Sequence, residues 1–176
     1  MAKRKPSKIK ESKLVPLFIV EGCTETHYIK LLNKLFSPKL LPKSHNCKGG
    51  SAKAILHEAE KQIEEDNYSS YVVIFDADRY EKSDKPQKEK LEKNADILIF
   101  EPCFENWLLS HFEKQKSIHK ECEEYQKELT VYIPNYDKND CVLLEKFIKK
   151  EHIEFAMKSN ADKATVFQKY YTINIT

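Results

Sequence analysis

No stretch of this chain stays apolar for the ~20 residues that a membrane-spanning helix needs, which argues against an integral membrane protein. The five cysteines, Cys23, Cys47, Cys103, Cys122 and Cys141, include no CxxC pair and are odd in number. That excludes a zinc knuckle and a disulfide framework, and reduced thiols are the simplest reading. Net charge is also scarce: 30 Lys and Arg face 28 Asp and Glu, a formal +2, too little for wholesale adhesion to nucleic acid or a membrane. Any polyanion site must be local. The basic opening MAKRKPSKIKESK precedes an apolar segment too short for a signal-peptide core, so the expectation is a soluble cytoplasmic protein. The sequence has no internal repeat, and its biased composition is confined to the charged residues 80–95.

What is present suits one domain, since 176 residues can bury roughly 70% of the surface their unfolded chain exposes. Residues 1–13 are expected to form a flexible basic arm and 14–176 a single domain. Residues 14–20, LVPLFIV, read as a strand covered on both faces and end in Glu21-Gly22. A helix is predicted from Thr24, capped by Thr24, with Glu25 at the positive end of its dipole and Tyr28, Leu31, Leu32, Leu35 and Phe36 on one face. A short second strand is placed near 44–47. Ser51 caps a second helix whose apolar face is Ala52, Ile55, Leu56, Ala59 and Ile63. Strands are expected at 71–75 and 96–100. The second is followed by a helix with Pro102 in its first turn and Phe104, Trp107, Leu108, His111 and Phe112 at helical spacing. The threefold strand and helix alternation predicts an α/β protein with a mainly parallel sheet flanked by helices. Beyond Ser117 the pattern is helical, with an amphipathic run over 143–155 and another near 163–171.

Three apolar strands run into acids at their carboxyl ends, where α/β sheets gather functional groups. Glu21 follows FIV, Asp76 and Asp78 follow VVIF, and Glu101 and Glu105 follow ILIF. If extended, Asp76 and Asp78 project from one face with Cα atoms roughly 6.5 to 7 Å apart. Clustered carboxylates repel and lose solvation unless a cation joins them. With oxygen donors and no paired His or Cys nearby, the cation class is Mg²⁺ or Mn²⁺ rather than Zn²⁺. Singly, such acids are ordinary loop formers. Lys138 is a candidate phosphate ligand. His111 reads as a hydrogen-bonded core residue, and Gly49-Gly50-Ser51 is a weak anion-binding signal without a Walker lysine.

The ordered set EGCTETHYIKLL, CKGGSAKAILHEA, VVIFDADR, EPCFENWLLSHF, YDKND and DKATVFQKY resembles the RloB-like family over nearly the whole chain after residue 14. Its EG and DAD segments look like the glutamate and DxD signature of the TOPRIM domain. The resemblance implies a Rossmann-like TOPRIM fold with a helical C-terminal part, and a kinship of domain type with OLD-family nucleases. It implies metal-dependent hydrolysis of nucleic-acid phosphodiesters, DNA or RNA, in bacterial anti-phage defence or restriction-associated loci. Carried over by motif, Glu21 is a general acid or base or a metal ligand, and Asp76 and Asp78 hold Mg²⁺ or Mn²⁺. Glu25 and Glu105 are further ligands, and Glu101-Pro102-Cys103 departs from the expected Asn-Pro type. A partner ATPase and self-association are compatible with this reading. The alternative is a non-catalytic scaffold that binds metal, nucleotide or a partner protein. A glycosyltransferase DxD fits the EG strand end poorly, and a haloacid dehalogenase needs Thr where Tyr80 stands.

Overall fold

The structure is a computed structural model that describes residues 15–112, 121–139 and 141–174, so the basic arm expected at 1–13 lies outside the described residues. Its centre is a sheet of four parallel strands, β1 (Pro16–Val20), β2 (Lys43–Asn46), β3 (Ser70–Asp76) and β4 (Asp96–Phe100), in the order β2-β1-β3-β4. Parallel neighbours require crossovers. These are α1 (Cys23–Phe36), α2 (Ala52–Glu64) and α3 (Lys85–Leu91), followed by α4 (Phe104–Leu109), α5 (Cys122–Tyr132), α6 (Leu144–Phe147), α7 (Lys150–Ser159) and α8 (Ala161–Gln168). The architecture is α/β and Rossmann-like with a helical C-terminal part, as the alternation predicts.

Side-chain alternation along the strands divides the core into two layers. Phe18, Val20, Val72, Ile74, Leu98 and Phe100 face α1 and the C-terminal helices, meeting Tyr28, Leu32, Trp107 and Phe167. Leu17, Ile19, Tyr71, Val73 and Phe75 face the opposite way, onto Ala52, Ile55, Leu56 and Ala59 of α2 and Leu91 of α3. Each large side chain buried in this way contributes about 1.5–3 kcal/mol. His111 is a core residue as expected: Nδ1 donates to the Trp107 carbonyl (2.9 Å), leaving Nε2 to accept from the Tyr28 hydroxyl (2.9 Å). Burial pushes its pKa down to about 4, so it is neutral.

Ser51 caps α2 as predicted, its hydroxyl accepting from the Ala54 N–H at 3.3 Å. Ser51→Ala is expected to cost about 1 kcal/mol, read as a fall in urea midpoint at unchanged m. Thr24, in contrast, does not cap α1. Gly22 is the cap residue, while Thr24 is buried and its hydroxyl donates to the Lys138 carbonyl at 3.3 Å. Cys103 caps α4, so Pro102 lies before the helix rather than in its first turn. The helix also stops at Leu109, short of His111 and Phe112. The run over 143–155 is two helices, α6 and α7, because Ile148 turns extended (φ −87°, ψ 120°) and is fully buried there.

Candidate active site at the carboxyl ends of β1 and β3

The strand order reverses between β1 and β3: β1 leads through α1 to β2 on one side, and β3 leads to β4 on the other. Such a switch point leaves a crevice outside the strand ends. Here it is a cleft of about 460 Å³, lined by Glu21, Glu25, Asp76, Asp78, Glu105 and Lys138, the six residues singled out from sequence. Glu101 does not join them; it is exposed, and its carbonyl accepts from the Asn106 amide at 2.7 Å.

Each acid arrives by a different element. Glu21 directly follows β1, and its Oε2 accepts the Asp76 N–H at 3.3 Å, which ties the two strand ends together. Burial raises its pKa, while that N–H and the Arg79 charge oppose the rise. Asp76 closes β3 in the alternation of Val72 and Ile74, so it shares the α1 and α4 side of the sheet. Glu25, in the first turn of α1, is 6% exposed and its Oε2 accepts the Gly22 N–H at 3.0 Å. Glu105, in the first turn of α4, is equally buried, and its Oε1 accepts from the Tyr136 hydroxyl (3.2 Å) and the Gln126 amide (3.4 Å).

Asp78 stands differently from the sequence expectation. The chain leaves β3 at Asp76 and enters a 3₁₀ turn over Ala77–Arg79, so the two aspartates are not an extended pair on one face. The Asp78 N–H instead donates to the Pro102 carbonyl at 3.1 Å, and its exposed carboxylate faces the Cys122 thiol at 3.8 Å. Asp76 is half-buried, with its Oδ1 enclosed, and Asp78 is exposed.

The cost of this crowding falls on Asp76. Burial first, and then the charges of Glu25, Glu21, Glu105 and Asp78, push its pKa from 3.8 up to about 9. Glu25 rises from 4.5 to about 7, chiefly by burial, with Glu21 and Glu105 adding to it. Asp76 Oδ1 is buried with no hydrogen-bond partner. A buried acceptor left unmatched costs about 1–3 kcal/mol. That orphaned oxygen, among crowded carboxylate donors, fits a hard divalent cation. Among the described residues, no three His, Cys, Asp or Glu side chains are placed to hold an ion as they stand. The acids share one cleft without converging on one point.

The family described as RloB-like protein matches residues 17–171. The chain belongs to the RloB-like family. No curated protein and no solved structure matches it. In this RloB-like protein the matched span contains every residue of the acidic cleft.

Several cleft residues of the RloB-like chain carried no mark in the sequence. Gln126 on the cleft wall and Tyr136 behind it hold Glu105, and Cys103 and Cys122 bring thiols to the wall, where burial raises both pKa values. Tyr136 belongs to the YDKND segment and could have been found there; α5 offers no comparable signal. Gly22 matters through its missing side chain, because a Cβ there would stand 3.3 Å from Glu25 Oε2. Its backbone (φ −143°) suits alanine, so Gly22→Ala is expected to fold normally. Displacing a supporting carboxylate should weaken Mn²⁺ binding by about 10-fold or more in a calorimetric titration.

Proposed function

We infer that the cleft performs metal-dependent hydrolysis of nucleic-acid phosphodiesters, and that the protein serves bacterial defence against phage. The observation that carries the chemistry is the orphaned, strongly basic Asp76 carboxylate among four other acids at the switch point of the sheet. The resemblance to TOPRIM nucleases supports the substrate and the defence role. Asp76, Asp78 and Glu105 would hold Mg²⁺ or Mn²⁺, with Glu25 behind them. Bound there, the ion would neutralise charge on the phosphoryl oxygens and lower the pKa of a bound water.

The chain's own residues supply the rest. Glu21, steadied by the Asp76 N–H and with a pKa raised by burial above the ordinary carboxylate value, is the acid suited to accept or return a proton. Lys138 sits on the same cleft to meet substrate phosphate. Tyr136 and Gln126 fix the Glu105 carboxylate, which orients it before substrate arrives. A partner ATPase would supply substrate capture.

One observation favours a non-catalytic scaffold, namely that no three ligands among the described residues are preplaced for an ion. The deciding experiment incubates the purified protein with plasmid, single-stranded DNA and RNA and transfer RNA, in Mg²⁺ and in Mn²⁺, with and without neighbouring-gene products. Cleavage by the wild type and none by Asp76→Asn supports hydrolysis. Intact substrates throughout, with Mn²⁺ still bound, support the scaffold.

A further inference from the structure

Two cations of the cleft stand beside its acids without a close ion pair to any of them, among the described residues. Lys48 and Arg79 line it beside Glu21, Asp76 and Asp78, and both are exposed. Among the described residues neither forms an ion pair. Five carboxylates crowded in one cleft would be neutralised most simply by pairing with adjacent cations. Arg79 eases Glu21 only through its charge at a distance, and neither cation closes onto a carboxylate. Arg79 instead donates from Nη1 to the Gly50 carbonyl at 3.3 Å.

That bond is one of several that fix the Lys48–Ser51 loop against the strand ends. The Gly49 N–H donates to the Glu21 carbonyl at 2.8 Å, and the Lys48 N–H to Asn46 Oδ1 at 2.6 Å. The Lys48 backbone and the Arg79 guanidinium are thus fixed beside the Glu21 strand end, so that their charges form a basic wall beside an acidic one. A ligand with one phosphate at the acids has no use for that second wall. A polynucleotide does, since it carries a further negative charge at every nucleotide.

We propose that Lys48 and Arg79 bind the phosphate adjacent to the scissile one on a single-stranded nucleic acid, so that the substrate is a strand and neither a mononucleotide nor an intact duplex. The single strand follows from size. A cleft of about 460 Å³ lies toward the low end of the roughly 300–1,000 Å³ typical of small-ligand sites. It admits a nucleotide-sized portion, whereas a paired base has to leave its duplex to enter such a pocket. The proposal rests on the nucleic-acid reading above and extends it to substrate form and to two positioning residues.

The test is fluorescence anisotropy of the full chain with a labelled single-stranded 12-mer, its duplex, and a mononucleotide competitor. Binding is measured in Mg²⁺ over a salt series and completed before product is detectable on a gel. Lys48→Ala and Arg79→Ala are each expected to weaken single-strand binding severalfold and to flatten the slope of log K against log salt by about 0.7. Lys61→Ala, an exposed change on α2, should leave the slope unaltered. The mononucleotide should compete equally in all proteins. Unchanged slopes in both cleft variants, a duplex bound as tightly as the strand, or no strand binding by the wild type would each overturn the proposal. Binding with the expected slopes but no cleavage would overturn hydrolysis alone, and cleavage with unchanged slopes would overturn the basic wall alone.

Discussion

Asp76→Asn is expected to lose nucleic-acid cleavage by roughly 10³-fold or more while the metal-free protein becomes more stable. On the proposed reading the loss follows from removing the half-buried carboxylate that shares the cleft with the other four acids, since a catalytic cation contributes several kcal/mol of transition-state stabilisation. The gain in stability has a separate cause. At pH 7 the folded protein must keep a proton on Asp76, whose pKa is pushed from 3.8 up to about 9, while the unfolded chain gives that proton up. Asparagine needs no proton and has the same shape. A rise of at least about 3 °C in Tm in the presence of a chelator would match this account, at the usual scale for a chain of this size. A lower Tm together with lost cleavage would mean that Asp76 serves the fold rather than the site.

The second large effect is a pH dependence of stability. Asp76 and Glu25 both have folded pKa values raised above their ordinary 3.8 and 4.5, to about 9 and about 7. Between those limits the folded state binds more protons than the unfolded one, so stability falls as pH rises. Their contribution is complete below about pH 4 and is lost progressively as the pH passes through 7 and then 9. Between about pH 5 and 9, the metal-free wild type should lose on the order of a few kcal/mol more than Asp76→Asn, roughly 10 °C in Tm. Parallel pH profiles for the two proteins would remove Asp76 from the explanation. Mn²⁺ should reverse the loss at alkaline pH. At about 100 times its dissociation constant, a ligand of the folded state adds about 2.7 kcal/mol.

If the cleft works as proposed, function and stability pull against each other at the strand ends. A cleft that is costly to keep without a cation gains most when one binds. The same burial that raises Glu25 and Asp76 also makes their response to a cation larger, because interactions strengthen where water is excluded.

Local chemistry made much of this legible before any coordinates. Apolar runs ending in acids marked β1, β3 and β4. Helical spacing marked α1 and α2, and the Ser51 cap followed from its hydroxyl. The five acidic candidates reached one cleft because strand ends in a parallel sheet, and the helix starts that follow them, point the same way; Lys138 arrives separately, on the loop after α5. Where sequence reasoning erred, a distant contact had overridden a local preference. Thr24 is an apt cap by type, yet its hydroxyl is drawn to the Lys138 carbonyl. Asp76 and Asp78 would share a face only in an extended chain, and the 3₁₀ turn held by the Pro102 carbonyl separates them.

By itself, then, the sequence determined the α/β order, the identity of the strand-end acids and the RloB-like kinship, because those depend on residue type and spacing. Only the tertiary structure decided which aspartate is the more buried and which supports hold Glu105. It also decided that Lys48 and Arg79 stand beside the acids without pairing to them. These outcomes depend on which segments meet: the residue types of the Tyr136–Asn139 and Lys48–Ser51 loops were legible but not their placement, and α5 reaches the cleft from a position that no local pattern announces.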